Sequence, residues 1–365
     1  MPKVVALELT DGQRLFDALR QCYNEGSTAC ILDPRDSAHR RSVVMASLRP
    51  THHLTESGMT HCDGGLPSQE GDGVIVLTSG TSGPPKAAVL TWDALRASAE
   101  LSSHALQRGP LMRWWAHLTP VHIGGLAVYL RSLFLDQNPV FATTTHDALE
   151  QGATHVALVR TQLHRGDYRD FQLVLLGGGP PPPDIPANVV TTWGMTETGS
   201  GVVYDGVPLP SVSLRVVDSE IHVAAPTLLR IYRDGFDPTY RDEQGVRWLP
   251  TGDEGEFSDG RLQIRGRRDY VINTGGEKVW PDDVERILSD CRGIDDVVVF
   301  GREDPEWGQR VVAWCVSNRS AEDLAGEFRE RVTEALGRWA VPKDIHIVTE
   351  IPRTPNGKIR RSELR

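Results

Sequence analysis

The chain has 365 residues, with 39 Lys+Arg against 49 Asp+Glu and a net charge of −10. That acidity argues against a partner with a phosphate backbone, so nucleic acid is not expected, although one local positive site for a small anion is compatible with it. Hydrophobic residues at 39%, charged residues at 24%, Gly 35 and Pro 24 describe a loop-rich but folded protein of two or three domains and exclude wholesale disorder.

The N-terminus, MPKVVALELTDGQ, meets acidic residues too early for a signal peptide. DGQRLFDALRQCYN places Leu15, Phe16, Leu19 and Cys22 on one side of an amphipathic helix. The rest of residues 1–70 is poorly patterned and reads as a shortened lead-in. THHLTESGMTHCDGGLPSQEGDG within it is expected to be a polar connector. Its His52, His53, His61 and Cys62 match no ligand spacing and are expected to be solvated loop residues. The five cysteines (Cys22, Cys30, Cys62, Cys291, Cys315) are odd in number and contain no CxxC pair. They read as reduced thiols of a cytoplasmic protein.

From Val74 the texture changes. VIVLT is a continuous apolar run of the buried-strand type, followed by a Gly/Ser/Thr loop and then by TWDALRASAELSSHAL at helical spacing. The run IGGLAVYLRSLFL is interrupted by Arg131 and falls short of the ~18 residues a membrane span needs, so no membrane insertion is expected. HVALV (155–159), FQLVLLG (171–177) and NVVTTWG (188–194) read as further strands. Their alternation with helical segments predicts an α/β domain with substantial parallel sheet. Short strands and turns run from Val212 to about Ile264.

A break at GRRD (266–269) divides the chain into a large α/β N-terminal domain, residues 1–267, and a small α+β C-terminal domain, residues 268–365. In the latter, PDDVERILSDC opens with proline and acids as a helix N-terminus should. DVVVF, RVVAWCV and IHIV read as strands, and Leu324, Phe328, Val332 and Leu336 form a helical stripe.

The strongest chemical signal is TSGTSGPPK, Thr78 to Lys86. Thr78, Ser79, Gly80, Thr81, Ser82 and Gly83 let backbone N–H groups approach an anion closely, and Lys86 adds a positive charge. It is not a Walker A loop, because Pro85 precedes the lysine and Ala87 follows it.

This segment resembles the phosphate loop of the adenylate-forming superfamily of acyl-CoA synthetases, peptide-synthetase adenylation domains and luciferases. Five further segments resemble that superfamily in the same order, over residues 78 to 361. GGGPPPP, with Gly177, Gly178 and Gly179, resembles the backbone lining the adenine and acyl pockets. WGMTETG resembles the segment in which Trp193 would pack on adenine beside Gly194 and Met195, Thr196 would bond the α-phosphate, and Glu197 would hold Mg²⁺. Trp193 stands where tyrosine is commoner. In TGD, Asp253 would clamp the ribose, with Arg267 near the same sugar. GRRDYVINTGGEKVWP resembles the hinge region, with Asp269 at the pivot, Tyr270 departing from the usual acid, and Gly275 and Gly276 leaving room for the pantetheine arm of CoA. PRTPNGKIRR resembles the loop that carries the catalytic lysine, here Lys358.

The resemblance implies an ATP- and Mg²⁺-dependent ligase with a mobile small domain, which activates a carboxylic acid as acyl-AMP and passes it to a thiol. HIGGLAVYLRSL further resembles the bacterial o-succinylbenzoate–CoA ligases of menaquinone biosynthesis, which share the His, a nearby Gly and the Arg nine residues on. That substrate has a second carboxylate, and a guanidinium suits it. Arg131 would therefore hold the distant carboxylate, and His122 would lie near the acyl chain and the thiol tunnel. The expected partners are a small carboxylic acid, ATP and CoA, and a homo-oligomer is compatible with the sequence. Another aryl or medium-chain acid, or a carrier-protein thiol, stays open as an alternative, as does a catalytically silent nucleotide-binding module.

Overall fold

The computed structural model describes residues 2–78, 86–107, 111–163, 165–182, 184–353 and 359–364. Ser79, Gly80, Thr81, Ser82, Gly83 and Lys358 lie outside the described residues. The chain forms two compact units, Met1–Leu214 with Val223–Leu249, and Arg215–His222 with Pro250–Arg365.

Two sheets organise the first unit. The larger has seven strands in the order Ile231–Tyr232, Ala87–Thr91, Asp72–Leu77, Thr28–Ile31, Val4–Leu7, His52–Thr55 and Gly58–His61. Thr28–Ile31 pairs in parallel with Val4–Leu7 and with Asp72–Leu77, whereas Ala87–Thr91 is antiparallel to its neighbours. The second sheet has six strands, of which Trp114–Trp115, His155–Val159, Leu173–Gly177 and Val189–Met195 run in parallel.

The poorly patterned start of the chain is folded. Val4–Leu7 and Thr28–Ile31 are buried along their whole length inside the larger sheet. The helix expected over DGQRLFDALRQCYN is Gly12–Asn24, capped by the Asp11 carboxylate on the Arg14 N–H, and it buries Leu15, Phe16, Leu19 and Cys22. The expected connector is corrected: His52–Thr55 and Gly58–His61 form an antiparallel hairpin at the sheet edge. Its polar sequence hid it, because an edge hairpin is held by backbone pairing and none of its strand residues is fully buried. His53 bonds Glu8 at 2.9 Å, and the His52 and His61 rings meet edge to face at 5.4 Å. Among the described residues no cluster of His, Cys, Asp or Glu is arranged to hold a metal, and all five cysteines are free thiols. No helix of the described residues is long and apolar enough to cross a membrane.

In the second unit, Ile294–Asp304 pairs antiparallel with Gly308–Ser317, which pairs in parallel with Asp344–Ile347. Helix Ala321–Ala335, with a capping box at Ser320 and Asp323, lays Leu324, Phe328 and Val332 against this sheet. Each such fully buried side chain contributes roughly 1.5–3 kcal/mol of transfer free energy. Leu336, the last position of the stripe, is half-buried beyond the helix end.

Candidate active site

Parallel strands present their carboxyl ends to one edge of a sheet, where open α/β sheets hold ligands. In the six-stranded sheet that edge carries the expected residues. Val189–Met195 runs beside Leu173–Gly177 with Thr191 opposite Leu176, so Gly177, exposed Gly178 and exposed Gly179 emerge next to Trp193. Trp193, Met195, Thr196 and Glu197 are half-buried. The segment is built to turn sharply. The Thr198 hydroxyl accepts from the Met195 N–H and donates to backbone oxygens, closing a 3₁₀ turn over Thr196–Thr198. Gly194 is required here, because a Cβ would overlap the Ser200 carbonyl oxygen across the hairpin. Helix Trp92–Leu106 braces the far side, the Ser98 hydroxyl lying 2.7 Å from that of Ser200.

In the larger sheet, Asp72–Leu77 and Ala87–Thr91 pair up to Leu77 opposite Ala87, and the Thr78 N–H donates to the Lys86 carbonyl at 2.8 Å. Thr78 and Lys86 thus sit at the two feet of the Gly/Ser/Thr loop. The exposed Lys86 ammonium lies 5.3 Å from the ring centre of Tyr232 and 5.8 Å from that of Phe236. The Tyr232 hydroxyl in turn donates to Glu197 Oε1 at 2.7 Å. Lys86 and Glu197, far apart in sequence, are therefore brought to the two sides of one tyrosine. Among the described residues Tyr232 is the only hydrogen-bond partner of the Glu197 carboxylate. One half-buried carboxylate with an oxygen to spare suits Mg²⁺, which takes one or two protein carboxylates and completes its shell with water and phosphate.

Helix Ile123–Phe134 carries the other two candidates. His122 is its extended N-cap residue, with no side-chain bond to the helix N–H groups. It is close enough to Asp33 to help lower that carboxyl's pKa, after the larger effect of Arg35's hydrogen bond. Arg131 is only 2% exposed. Its Nε donates to the Ser102 hydroxyl at 2.8 Å, and its guanidinium lies 4.8 Å from the Trp114 ring centre. Nη1 is buried and has no hydrogen-bond partner among the described residues. Arg131 therefore neither snorkels to solvent nor pairs with a described carboxylate. It is a buried cation with a donor unmet among the described residues, held by a hydroxyl and an aromatic face.

In the second unit, Asp253, Arg267 and Asp269 come together. Arg267 Nη1 donates to Asp253 Oδ1 at 3.0 Å and to the Thr251 carbonyl at 2.8 Å, while Nη2 lies 3.4 Å from Asp269 Oδ2. Burial opposes the Arg267 charge, but Asp253 in contact and Asp269 beyond hold its pKa above the usual value. Gly275 and Gly276 form the two-residue turn between Ile272–Thr274 and Glu277–Val279, with φ of 60° and 87°. Two consecutive left-handed residues are the mark of a type I′ hairpin turn, which favours glycine. The Trp307 carbonyl accepts from the Gly275 N–H at 2.8 Å.

Three groups escaped sequence reading. Tyr232 lies in a two-residue edge strand with no periodicity to announce it. The Asp72–Arg230 ion pair, at 2.7 Å and across 158 residues, is invisible to local pattern. In sequence Asp282 and Glu285 belong only to the acidic opening of a helix, yet burial raises their pKa values to about 6 and about 7. The mutual repulsion of the pair works in the same direction for Glu285, and Arg361, 3.5 Å from Glu285 Oε1, works against it.

Residues 32–227 match the AMP-binding enzyme family and residues 283–358 the AMP-binding enzyme C-terminal domain. A Mycobacterium tuberculosis protein described as a probable 2-succinylbenzoate–CoA ligase is 37% identical over 322 residues, 80% of this chain and 83% of its own. The 2-succinylbenzoate–CoA ligase of Listeria monocytogenes is 30% identical, over 80% of this chain and 69% of its own. The fold matches Bacillus subtilis o-succinylbenzoate CoA synthetase in complex with its acyl-adenylate OSB-AMP, with a TM-score of 0.83 and 24% identity over 100% of this chain and 88% of that one. It matches ATP-bound MatB of Rhodopseudomonas palustris equally well, with a TM-score of 0.85 and 20% identity over 100% and 88%. Two such matches at one level of likeness establish the fold and do not select an acid. From the two family matches and the extent of the sequence identity, the chain belongs to the AMP-binding enzyme family.

Proposed function

We propose that this enzyme activates o-succinylbenzoate with ATP and transfers it to CoA. The observation that carries the choice of acid is Arg131, a 2% exposed guanidinium with Nη1 unpartnered among the described residues. Such a donor is costly unless an acceptor arrives, and a second substrate carboxylate is an acceptor of the right charge. The ligases of M. tuberculosis and L. monocytogenes support the same choice.

In the first step a carboxylate oxygen of the acid bonds to the α-phosphorus of ATP, the bond to the pyrophosphate oxygen breaks, and acyl-AMP and pyrophosphate form. Two anions meet, so positioning and charge neutralisation dominate the barrier. Thr78, Lys86 and the glycine- and hydroxyl-rich loop Ser79–Gly83 would bind the phosphates. Trp193 would stack on adenine beside Gly177, Gly178, Gly179, Gly194 and Met195, and Thr196 would donate to the α-phosphate. Glu197 would hold Mg²⁺, which supplies charge neutralisation for the departing pyrophosphate. Asp253 and Arg267 would hold the ribose, and Lys358 would bridge the acid and the α-phosphate. In the second step the CoA sulfur bonds to the acyl carbon and AMP leaves with its oxygen. Rotation about Asp269 would exchange the Lys358 loop for the Gly275–Gly276 turn, with His122 beside the thiol path. Free thiols at all five cysteines fit the cytoplasmic setting of such a reaction.

Incubation with Mg-ATP, CoA and each of o-succinylbenzoate, benzoate, 4-coumarate and octanoate, with thioesters read by mass, tests the choice. The o-succinylbenzoyl thioester is expected to dominate. Preference for an acid with a single carboxylate would overturn the assignment of substrate while leaving the family intact.

A further inference from the structure

We infer that Tyr232 is a positioning residue for the magnesium site, fixing the rotamer of Glu197 so that its second oxygen faces the metal. The inference rests on the reading of Glu197 as the Mg²⁺ ligand. A ligating carboxylate on a short turn is free to swing, and metal affinity then suffers unless an outer group holds it. Tyr232 provides that hold, its hydroxyl 2.7 Å from Glu197 Oε1.

The tyrosine is itself over-determined, which is why its hydroxyl has one direction. It is 6% exposed. Ile231 and Tyr232 pair with Val89 and Ala88, three and two residues after Lys86. Hydrogen bonds from Arg230 N to Val89 O at 2.8 Å and from Arg233 N to Ala87 O at 2.7 Å bracket that pairing. The Arg230 guanidinium grips Asp72, which is 1% exposed and opens the strand leading to Thr78, with two bonds of 2.7 and 3.0 Å. The ring stacks on Phe236 with planes 5° apart, and the Lys86 ammonium lies near its face. From the other side the Leu229 N–H donates to the Glu197 carbonyl at 2.7 Å, tying the same segment to the main chain of the candidate ligand. Residues 229–236 thus lock the backbone of Glu197, its carboxylate and the foot of the phosphate loop into one frame.

The test uses the full chain and binding alone. ATP binding is measured by calorimetry without acid, so that no chemistry follows, across a Mg²⁺ titration. Tyr232→Phe keeps the ring, the stack and the Lys86 contact and removes only the hydroxyl. The Mg²⁺ concentration for half-maximal enhancement of ATP binding should rise ~10-fold or more, while metal-free ATP affinity and Tm stay at the parental values. Glu197→Ala should raise it at least as much, and adding Tyr232→Phe to Glu197→Ala should change nothing further. A shift in Glu197→Ala with none in Tyr232→Phe overturns the positioning role alone. No shift in Glu197→Ala removes the metal reading on which it rests. A further loss in the double variant would show that Tyr232 acts elsewhere.

Discussion

Replacing Arg131 with Met separates a substrate clamp from a packing residue. Among the described residues the guanidinium has one bond, Nε to Ser102 at 2.8 Å, and the Trp114 ring at 4.8 Å, against a buried Nη1 without a partner. An unmet buried donor costs about 1–3 kcal/mol, which an arriving carboxylate would relieve. Hydrogen bonds to a charged group are worth about 1.5–3 kcal/mol, so losing this one should raise the KM for o-succinylbenzoate roughly 10- to 150-fold. Methionine fills the space of the arginine stem without charge, and replacing a buried charge with an apolar side chain is often neutral or stabilising. Ser102 keeps its bond to the Ala99 carbonyl at 3.2 Å. Tm should therefore hold or rise, and the KM for ATP should stay as it is. Initial rates against the acid at saturating ATP and CoA, and against ATP at saturating acid, read both effects. An unchanged KM for the acid together with a fall in Tm would show that Arg131 only packs.

Lys358→Ala should abolish acyl-adenylate formation yet leave thioester formation from supplied acyl-adenylate largely intact, and Asp269→Pro should do the reverse; equal loss of both steps in either variant would count against an alternating small domain. The half-buried Asp282 and Glu285 have folded pKa values raised to about 6 and about 7, above ordinary values of 3.8 and 4.5. The folded unit therefore holds more protons than the unfolded chain between about pH 4 and 7, so its stability is full below that range, declines as pH rises through it, and is level above. Glu285→Gln, which keeps an acceptor for the Val299 N–H, should flatten that decline in hydrogen exchange of the Pro250–Arg365 unit, and an undiminished decline would place the titration elsewhere.

Much of the fold was legible because its signals are local. Leu15, Phe16, Leu19 and Cys22 recur at helical spacing, and all four are buried on Gly12–Asn24. The strands around the candidate site announce themselves as continuous apolar runs, since a parallel sheet covered on both faces needs them. The hairpin His52–His61 was not legible, because polar residues at a sheet edge carry no period and its stability comes from backbone pairing. Four-residue strands such as Val4–Leu7 offer too few positions for a pattern, although they occupy the middle of the larger sheet. The same division holds at the site. Lys86, Trp193, Glu197 and Asp253 lie in motif-like segments whose composition suggests anion and nucleotide chemistry. Tyr232, which pairs with Ala88, and the Asp72–Arg230 pair, 158 residues apart, become visible only when segments distant in sequence meet. Glu285 looks like a helix-starting acid until the sheet covers it.

In the proposed reaction an organic acid is joined to AMP before any thiol is involved. Omitting CoA isolates that step. Enzyme incubated with Mg-ATP and o-succinylbenzoate alone should release one pyrophosphate per active site and accumulate o-succinylbenzoyl-AMP, detectable by mass. Release of pyrophosphate that is independent of the acid, or none from folded enzyme with any acid, would contradict adenylation of the acid as the first step.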